Sequence, residues 1–168
     1  MFPSRTLRTL VCIGAGAAMN FKTAVRIERP TEEVFDYVSD PVNFPQWNSA
    51  VQSVRGTSPG EAAGATYLMG RDLPDGKAEN ELAVVVWNRP AEFTIRTTSG
   101  PTPFTYEYRF ADEGGATLVE LKAEVELAGI AGALGPLASP AVKRGVDANF
   151  AELKRILEGG PNDVSARS

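Results

Sequence analysis

The sequence predicts an α+β domain in which a strongly curved antiparallel sheet of about seven strands closes around one long C-terminal helix. Apolar and polar side chains alternate through most of the segment from residue 21 to 126, which is typical of half-buried strands. Clusters of Gly, Pro and Asp break this alternation at short intervals, so the strands are joined by tight connections. From residue 140 to 158 the apolar spacing changes to three and four, the period of a helix.

These dimensions also predict an internal cavity. About seven strands spaced about 4.8 Å apart make a sheet about 34 Å wide, whereas a helix with its side chains is about 10 to 12 Å across. Because one helix cannot cover a flat sheet of that width, we expect the sheet to curve around it. Such closure leaves a space between helix and sheet, and apolar spaces with a few polar groups are the usual sites for small molecules.

The N-terminal segment is interpreted as an extension ahead of the domain. Arg5 and Arg8 precede an apolar run that ends at Met19, and this arrangement weakly resembles a secretory signal peptide. The run is about half the roughly 20 residues that a membrane-spanning helix needs. Three interpretations fit this segment. Met19 is the true start and the location is cytoplasmic, or the segment is a signal and the protein is exported, or the segment is an ordered extension of the domain. The predicted divisions are residues 1–18 (extension), 19–159 (domain) and 160–168 (disordered tail).

Two short helices are predicted after the first strand. That strand covers Phe21 to Glu28, and an Arg-Pro pair ends it. Thr31 is expected to cap the first helix with its hydroxyl, and Val34, Phe35 and Val38 form its buried side. Asp40 is expected to cap the next short helix, with Pro41 at its first position.

The following segment predicts an antiparallel meander. Aromatic side chains alternate with polar ones from Phe104 to Phe110, and aliphatic ones do so from Val119 to Val125. In the stretch from Leu82 to Trp87 both the odd- and the even-numbered positions are apolar, so alternation does not show which side chains face inward. This fits either a bulge or an edge covered by another element. The predicted turns are residues 57–64, 72–76, 88–90, 99–103 and 111–115.

The C-terminal segment predicts the long helix and a flexible approach to it. The Gly-rich stretch from Gly129 to Pro136 lacks the Lys-Ser/Thr of a phosphate loop, so we expect a mobile passage and not a nucleotide site. The helix is predicted over Pro140 to Glu158, and a Gly-Gly-Pro sequence ends it. Its apolar stripe consists of Val142, Val146, Phe150, Leu153 and Leu157.

Composition excludes several kinds of chemistry. The chain has 168 residues, one cysteine and no histidine, which removes imidazole bases, triads with histidine and the usual zinc sites. The net charge of −4 provides no excess positive field for phosphates, so nucleic acid is not a predicted partner. We predict no cofactor, no metal and no stable membrane insertion. A pocket here has only Tyr, Arg, carboxylates and shape available, which favours binding or geometry-driven cyclisation over hydrolysis or redox chemistry.

Three motifs carry a family resemblance over residues 19 to 159. They are the run Val25-x-Ile27-x-x-Pro30-x-Glu32-Glu33-Val34-Phe35-x-Tyr37-Val38-x-Asp40-Pro41 with Trp47 after it, the pair Trp87-x-x-Pro90, and the ending Asn149-Phe150-Ala151-Glu152-Leu153. Together they resemble the SRPBCC superfamily, particularly its polyketide cyclase/dehydrase and lipid transport group. The resemblance implies the helix-grip fold of START domains and the birch pollen allergen family, with a small hydrophobic ligand as partner.

The candidate site residues come from the faces expected to line the cavity. Tyr67, Met69 and Arg71 share one strand face, where Arg71 could orient a carboxylate or phenolate or could instead pair with Asp72 in solvent. Tyr106 offers a hydroxyl that could polarise a ketone. Tyr67, Arg71 and Tyr106 are therefore the candidate catalytic residues. The candidate ligand-binding residues are Trp47, Tyr67, Met69, Trp87, Tyr106, Tyr108 and Phe150.

Three functions fit these residues. The first is binding or transport of a small hydrophobic ligand, lipid or polyketide-like, in the internal cavity. The second is a polyketide cyclase or dehydratase that polarises its substrate with Tyr and Arg, without metal or histidine. The third is a protein-interaction domain with a filled core.

Overall fold

A computed structural model describes residues 18–60, 62–73, 76–126 and 135–159. The predicted extension, apart from residue 18, lies outside the described residues. So do residues 127–134 of the Gly-rich passage and the tail from residue 160.

Seven strands in the described part of the chain form one curved antiparallel sheet, which confirms the predicted fold. The strand order is β1-β7-β6-β5-β4-β3-β2, so neighbours in sequence are neighbours in the sheet from β2 to β7. β1 pairs with β7 at the other edge. The strands are β1 (Ala18–Ile27), β2 (Val51–Gly56), β3 (Thr66–Leu73), β4 (Gly76–Asn88), β5 (Glu92–Ser99), β6 (Phe104–Asp112) and β7 (Thr117–Glu126).

The helices flank this sheet at two places in the sequence. α1 (Thr31–Val38), a 3-10 turn (Pro41–Asn43) and α2 (Phe44–Trp47) connect β1 to β2, and α3 (Gly135–Gly159) follows β7. The Asp40 side chain caps the 3-10 turn as predicted, because its Oδ1 accepts the Val42 N–H at 3.0 Å.

The predicted cap of α1 is wrong. Thr31 is the first residue of the helix, Pro30 occupies the cap position, and no side chain caps the helix there. The Thr31 hydroxyl is buried and hydrogen-bonds the Thr117 hydroxyl at 3.2 Å, so a tertiary contact with β7 uses the group that was expected to cap. Val34, Phe35 and Val38 are fully buried, as predicted.

α3 begins earlier than predicted. Its first residue is Gly135, so Pro140 lies inside the helix, where its missing N–H removes one backbone hydrogen bond. The sequence interpretation began the helix at Pro140, and the first residue of its apolar stripe is Val142. The helix ends at Gly159 as expected.

A bulge in β4 explains the apolar stretch without alternation. The pairing with β5 shifts register between Val84 and Val86, so Val85 lies outside the regular pairing and is 44% exposed. Leu82 and Val84 are buried before the bulge. After it, Trp87 again faces inward and its ring packs edge-on against Phe35, with centroids 5.5 Å apart. Because of the bulge, even-numbered residues face inward before it and the odd-numbered Trp87 faces inward after it.

The C-terminal half of α3 closes the core against the concave face of the sheet. Phe150, Leu153 and Leu157 are buried there. The helix end is held by Arg29, whose Nε donates to the Leu157 carbonyl at 2.8 Å. Lys154 Nζ donates to the carbonyl of Arg26 in β1 at 2.6 Å. Because the last carbonyls of a helix lack partners within it, the Arg29 contact satisfies one of them and also favours the helix dipole.

Candidate functional site

A cavity of about 250 Å³ lies between α3, the α2–β2 segment and the strands β3 and β6. Most of its wall is apolar or aromatic. The sheet contributes Met69 and Arg71 from β3 and Tyr106 from β6, while Val142 and Val146 come from α3. The predicted cavity between helix and sheet is therefore present.

Six of the eight predicted site residues lie together on this wall, whereas Tyr67 and Trp87 do not. Tyr67 is 4% exposed and belongs to the packed core beyond the cavity. Trp87 packs against Phe35 of α1 and also lies away from the cavity. The residues that the structure brings together are Trp47, Met69, Arg71, Tyr106, Tyr108 and Phe150.

An amide cluster at the wall was missed by the sequence interpretation. Asn149 Oδ1 accepts from the backbone N–H and the hydroxyl of Ser49 at 3.2 and 3.1 Å. Asn149 Nδ2 donates to Asn48 Oδ1 at 3.1 Å, which joins α3 to the segment after α2. A signal was available, because Asn149 interrupts the apolar stripe of α3 at the helical spacing from Val146.

Arg71 is the charged group of the cavity. Its Nη1 is buried, and no hydrogen-bond acceptor contacts that atom among the residues that the structure describes. Asp72, the alternative partner, is exposed and forms no ion pair with Arg71 within the described chain. Burial lowers the pKa of Arg71, and the nearby Tyr106 acts in the opposite direction. Since a guanidinium stays protonated in proteins, Arg71 is a cation that forms no ion pair with any described residue.

The two tyrosine hydroxyls of β6 are protonated donors at neutral pH. Burial raises the pKa of Tyr106, and the adjacent Arg71 lowers it to a smaller extent. The pKa of Tyr108 is raised well above its ordinary value by burial and secondarily by Tyr106. The rings of Phe104 and Tyr106 pack with centroids 4.5 Å apart, so the hydroxyl of Tyr106 lies on a rigid aromatic wall.

Neither a candidate metal-binding group nor a candidate membrane-spanning helix is present in the described residues. Among them, no three Cys, Asp or Glu side chains form a group that could hold a metal ion. The same residues contain no helix long and apolar enough to span a membrane.

The sequence model described as "Polyketide cyclase / dehydrase and lipid transport" matches residues 18–158. The chain belongs to this family. A search of curated protein sequences found no match to this family member.

Solved structures share the fold of this family member at low sequence identity. A START superfamily protein from Mycobacterium smegmatis has a TM-score of 0.72 at 15% identity, covering 83% of this chain and 97% of its own. A protein from Thermus thermophilus has a TM-score of 0.71 at 17% identity, covering 89% of this chain and 100% of its own. The Zhui aromatase/cyclase from Streptomyces sp. R1128 has a TM-score of 0.68 at 13% identity, covering 86% and 99%.

Proposed function

We propose that this protein binds a small, mainly apolar acid in the cavity, with the acidic oxygen on Arg71. The observation that carries the proposal is the buried Nη1 of Arg71, which has no acceptor among the described residues although it lines the cavity. A buried guanidinium nitrogen without an acceptor is costly, and an anionic ligand oxygen removes that cost by making a charge-assisted hydrogen bond.

The shape of the cavity supports a compact ligand. Its volume of about 250 Å³ lies just below the usual range of ligand pockets, which is about 300 to 1,000 Å³. The aromatic rings of Trp47, Tyr106, Tyr108 and Phe150 provide flat apolar contact surface. These features favour a ringed or short-chain acid. They also disfavour the filled-core hypothesis, which predicts no cavity.

A cyclase or dehydratase is the second candidate, and the proximity of Tyr106 to Arg71 favours it. The protonated Tyr106 hydroxyl would donate a hydrogen bond to a ketone oxygen, and Arg71 would stabilise the enolate oxygen that forms when a solvent water molecule accepts the proton of the neighbouring carbon. Water is the acceptor in this step because the described residues that line the cavity include no carboxylate and no imidazole. The aromatase/cyclase among the structural neighbours makes this reaction class worth testing. In both candidates Arg71 holds an anionic oxygen, so binding is tested first.

The binding test uses 2-naphthoic acid as the probe and Arg71→Met as the variant. We expect the acid to bind the wild type and to lose affinity by about tenfold or more in the variant, because a hydrogen bond to a charged group is removed. Arg96→Met is the matched control, since Arg96 is exposed on β5. Titration calorimetry measures both. Equal affinity in wild type and Arg71→Met would contradict the proposal.

The two candidates are separated by Tyr106→Phe. A carrier keeps nearly all its affinity for 2-naphthoic acid in this variant. A cyclase loses turnover of a poly-β-ketone substrate while still binding it. Tyr37→Phe is the control, because its hydroxyl contacts Gln46 at 2.7 Å on the exposed surface, outside the cavity.

A further inference from the structure

Trp47 lines the cavity and carries a second buried donor that has no partner in the described chain. It is the last residue of α2 and is 3% exposed, yet its Nε1 has no acceptor among the residues that the structure describes. Buried polar atoms without a partner are rare in folded proteins, because desolvation of the donor is then not compensated. The indole N–H therefore requires a partner that the described protein does not supply.

Packing holds the Trp47 ring in place. Phe44 meets it edge-on with centroids 5.5 Å apart, and Phe150 lies against it with centroids 6.3 Å apart. A ring held by two aromatic neighbours has limited freedom to turn its N–H toward another acceptor. This packing therefore restricts rotation of the indole ring.

The unmatched atoms of the described chain concentrate at the cavity. Three buried side-chain atoms in that part of the protein have no partner, and two of them, Trp47 Nε1 and Arg71 Nη1, belong to cavity-lining residues. The third, Oδ1 of Asn80, belongs to an amide whose Nδ2 donates to the Pro101 carbonyl at 2.7 Å and holds the β5–β6 turn. Both cavity atoms are donors, and they come from different elements, α2 and β3.

We infer that Trp47 is a specificity-determining residue whose indole N–H donates to a second oxygen of the ligand. The ligand class is then an apolar acid with an additional acceptor oxygen, such as a ketone, ether or hydroxyl, separate from the acidic group on Arg71. This inference rests on the proposed function, since it assumes that Arg71 holds the acid. A hydrocarbon acid leaves the indole donor unmatched, so the site discriminates against it.

The test compares methoxy-2-naphthoic acids with ethyl-2-naphthoic acids, taking all positional isomers of each. The two substituents have similar size, but only methoxy accepts a hydrogen bond. We expect at least one methoxy isomer to bind the wild type about fivefold more tightly than its ethyl counterpart. Trp47→Phe should abolish that preference, so that each methoxy acid and its ethyl counterpart bind the variant with equal affinity.

A spectroscopic readout on the wild type covers the case in which Trp47→Phe does not fold. The chain has two tryptophans, so protein labelled with ¹⁵N-tryptophan gives two indole N–H signals, and Trp87→Phe assigns them. The favoured methoxy acid should shift the Trp47 indole proton downfield relative to its ethyl counterpart and leave the Trp87 signal unchanged.

The outcomes distinguish this inference from the function on which it rests. If every methoxy acid binds with the same affinity as its ethyl counterpart, or if the two acids shift the Trp47 indole signal equally, the role of Trp47 is overturned. The proposed function is not affected by either result. If none of the acids binds, the proposed function fails and the inference falls with it. If the preference survives in Trp47→Phe, another donor reads the second oxygen and the assignment to Trp47 is wrong.

Discussion

The two halves of α3 have the same apolar spacing but pack differently against the sheet. In the C-terminal half, Phe150, Leu153 and Leu157 are buried. In the N-terminal half, Val142 and Val146 are only half-buried and lie over the cavity. Helical periodicity therefore determines which side of a helix faces the sheet, whereas the curvature of the sheet and the side chains opposite determine how closely it packs.

The same contrast applies to the polar contacts of the helix. At the C-terminal end, Arg29 donates to the Leu157 carbonyl and the Glu28 N–H donates to Glu158 Oε1 at 2.8 Å. Nearer the N-terminal half, the Asn149 cluster makes the contacts at the cavity wall, and Asp147 accepts from the Thr23 hydroxyl of β1. We interpret one half as the part that stabilises the fold and the other as the part that shapes the site.

Truncation of one core side chain in each half tests this contrast with the largest expected effect. Leu153→Ala should lower the free energy of unfolding by about 2 to 5 kcal/mol, because Leu153 is fully buried and the variant leaves a cavity. Val146→Ala should cost about 1 kcal/mol or less, since that side chain already borders empty space. Urea unfolding measures both. Similar losses in the two variants would show that the halves contribute equally to the core.

The C-terminal anchor is tested by Arg29→Met. Removing the hydrogen bond to the Leu157 carbonyl, and the favourable charge at the helix end, should cost about 1.5 kcal/mol of unfolding free energy. Arg55→Met on β2 is the matched control, because Arg55 is exposed. The affinity for 2-naphthoic acid should not change in either variant. A loss of affinity in Arg29→Met would mean that the two halves are coupled.

The sequence predicted the architecture well because alternation and helical spacing report burial directly. Tyr67, Met69 and Arg71 do share one face of β3, as predicted from their alternation. The sequence did not predict which of these three residues border the cavity, because that depends on where the sheet curves away from α3. In the structure Tyr67 lies in the packed core, whereas Arg71 lines the cavity.

Two further features were not predictable from the sequence, for different reasons. One depends on a partner distant in sequence, and the other concerns a residue without a side chain. The hydroxyl of Thr31 was expected at a helix cap, but the chain brings Thr117 within hydrogen-bonding distance and the tertiary contact replaces the local one. Gly145 lines the cavity without a side chain, so the apolar pattern contains no signal for it.

Gly145 allows the cavity half to be changed without damaging the fold. A Cβ at this position meets no atom within 4 Å, so Gly145→Ala should raise the unfolding free energy by about 0.5 to 1 kcal/mol through helix propensity. Gly145→Leu should keep the fold and weaken 2-naphthoic acid binding, because the side chain occupies ligand space. Gly159→Ala, with equally open surroundings at the other end of α3, is the control and should leave binding unchanged. Unchanged binding in Gly145→Leu would place the ligand elsewhere.

Substitution of Asp147 has the smallest expected effect on the free energy of unfolding, and this effect depends on pH. Its Oδ2 accepts from Lys143 Nζ at 2.8 Å and its Oδ1 from the Thr23 hydroxyl, and these hydrogen bonds lower the pKa of Asp147 in the folded protein. The side chain is 41% exposed, so solvent screening limits the contribution to about 0.5 kcal/mol.

A carboxyl whose pKa is lower in the folded than in the unfolded state stabilises the fold only when it is ionised. The contribution of Asp147 is therefore complete above the unfolded value of about 3.9 and is lost as the pH falls through the lower folded value. Asp147→Asn should unfold slightly more easily than wild type at pH 7, and the two proteins should converge in strong acid. Urea unfolding across this range measures the difference, and raising the salt concentration should reduce the ionic part of it at pH 7. A difference that persists unchanged into strong acid would show that Asp147 acts through packing of α3 on β1 and not through its charge.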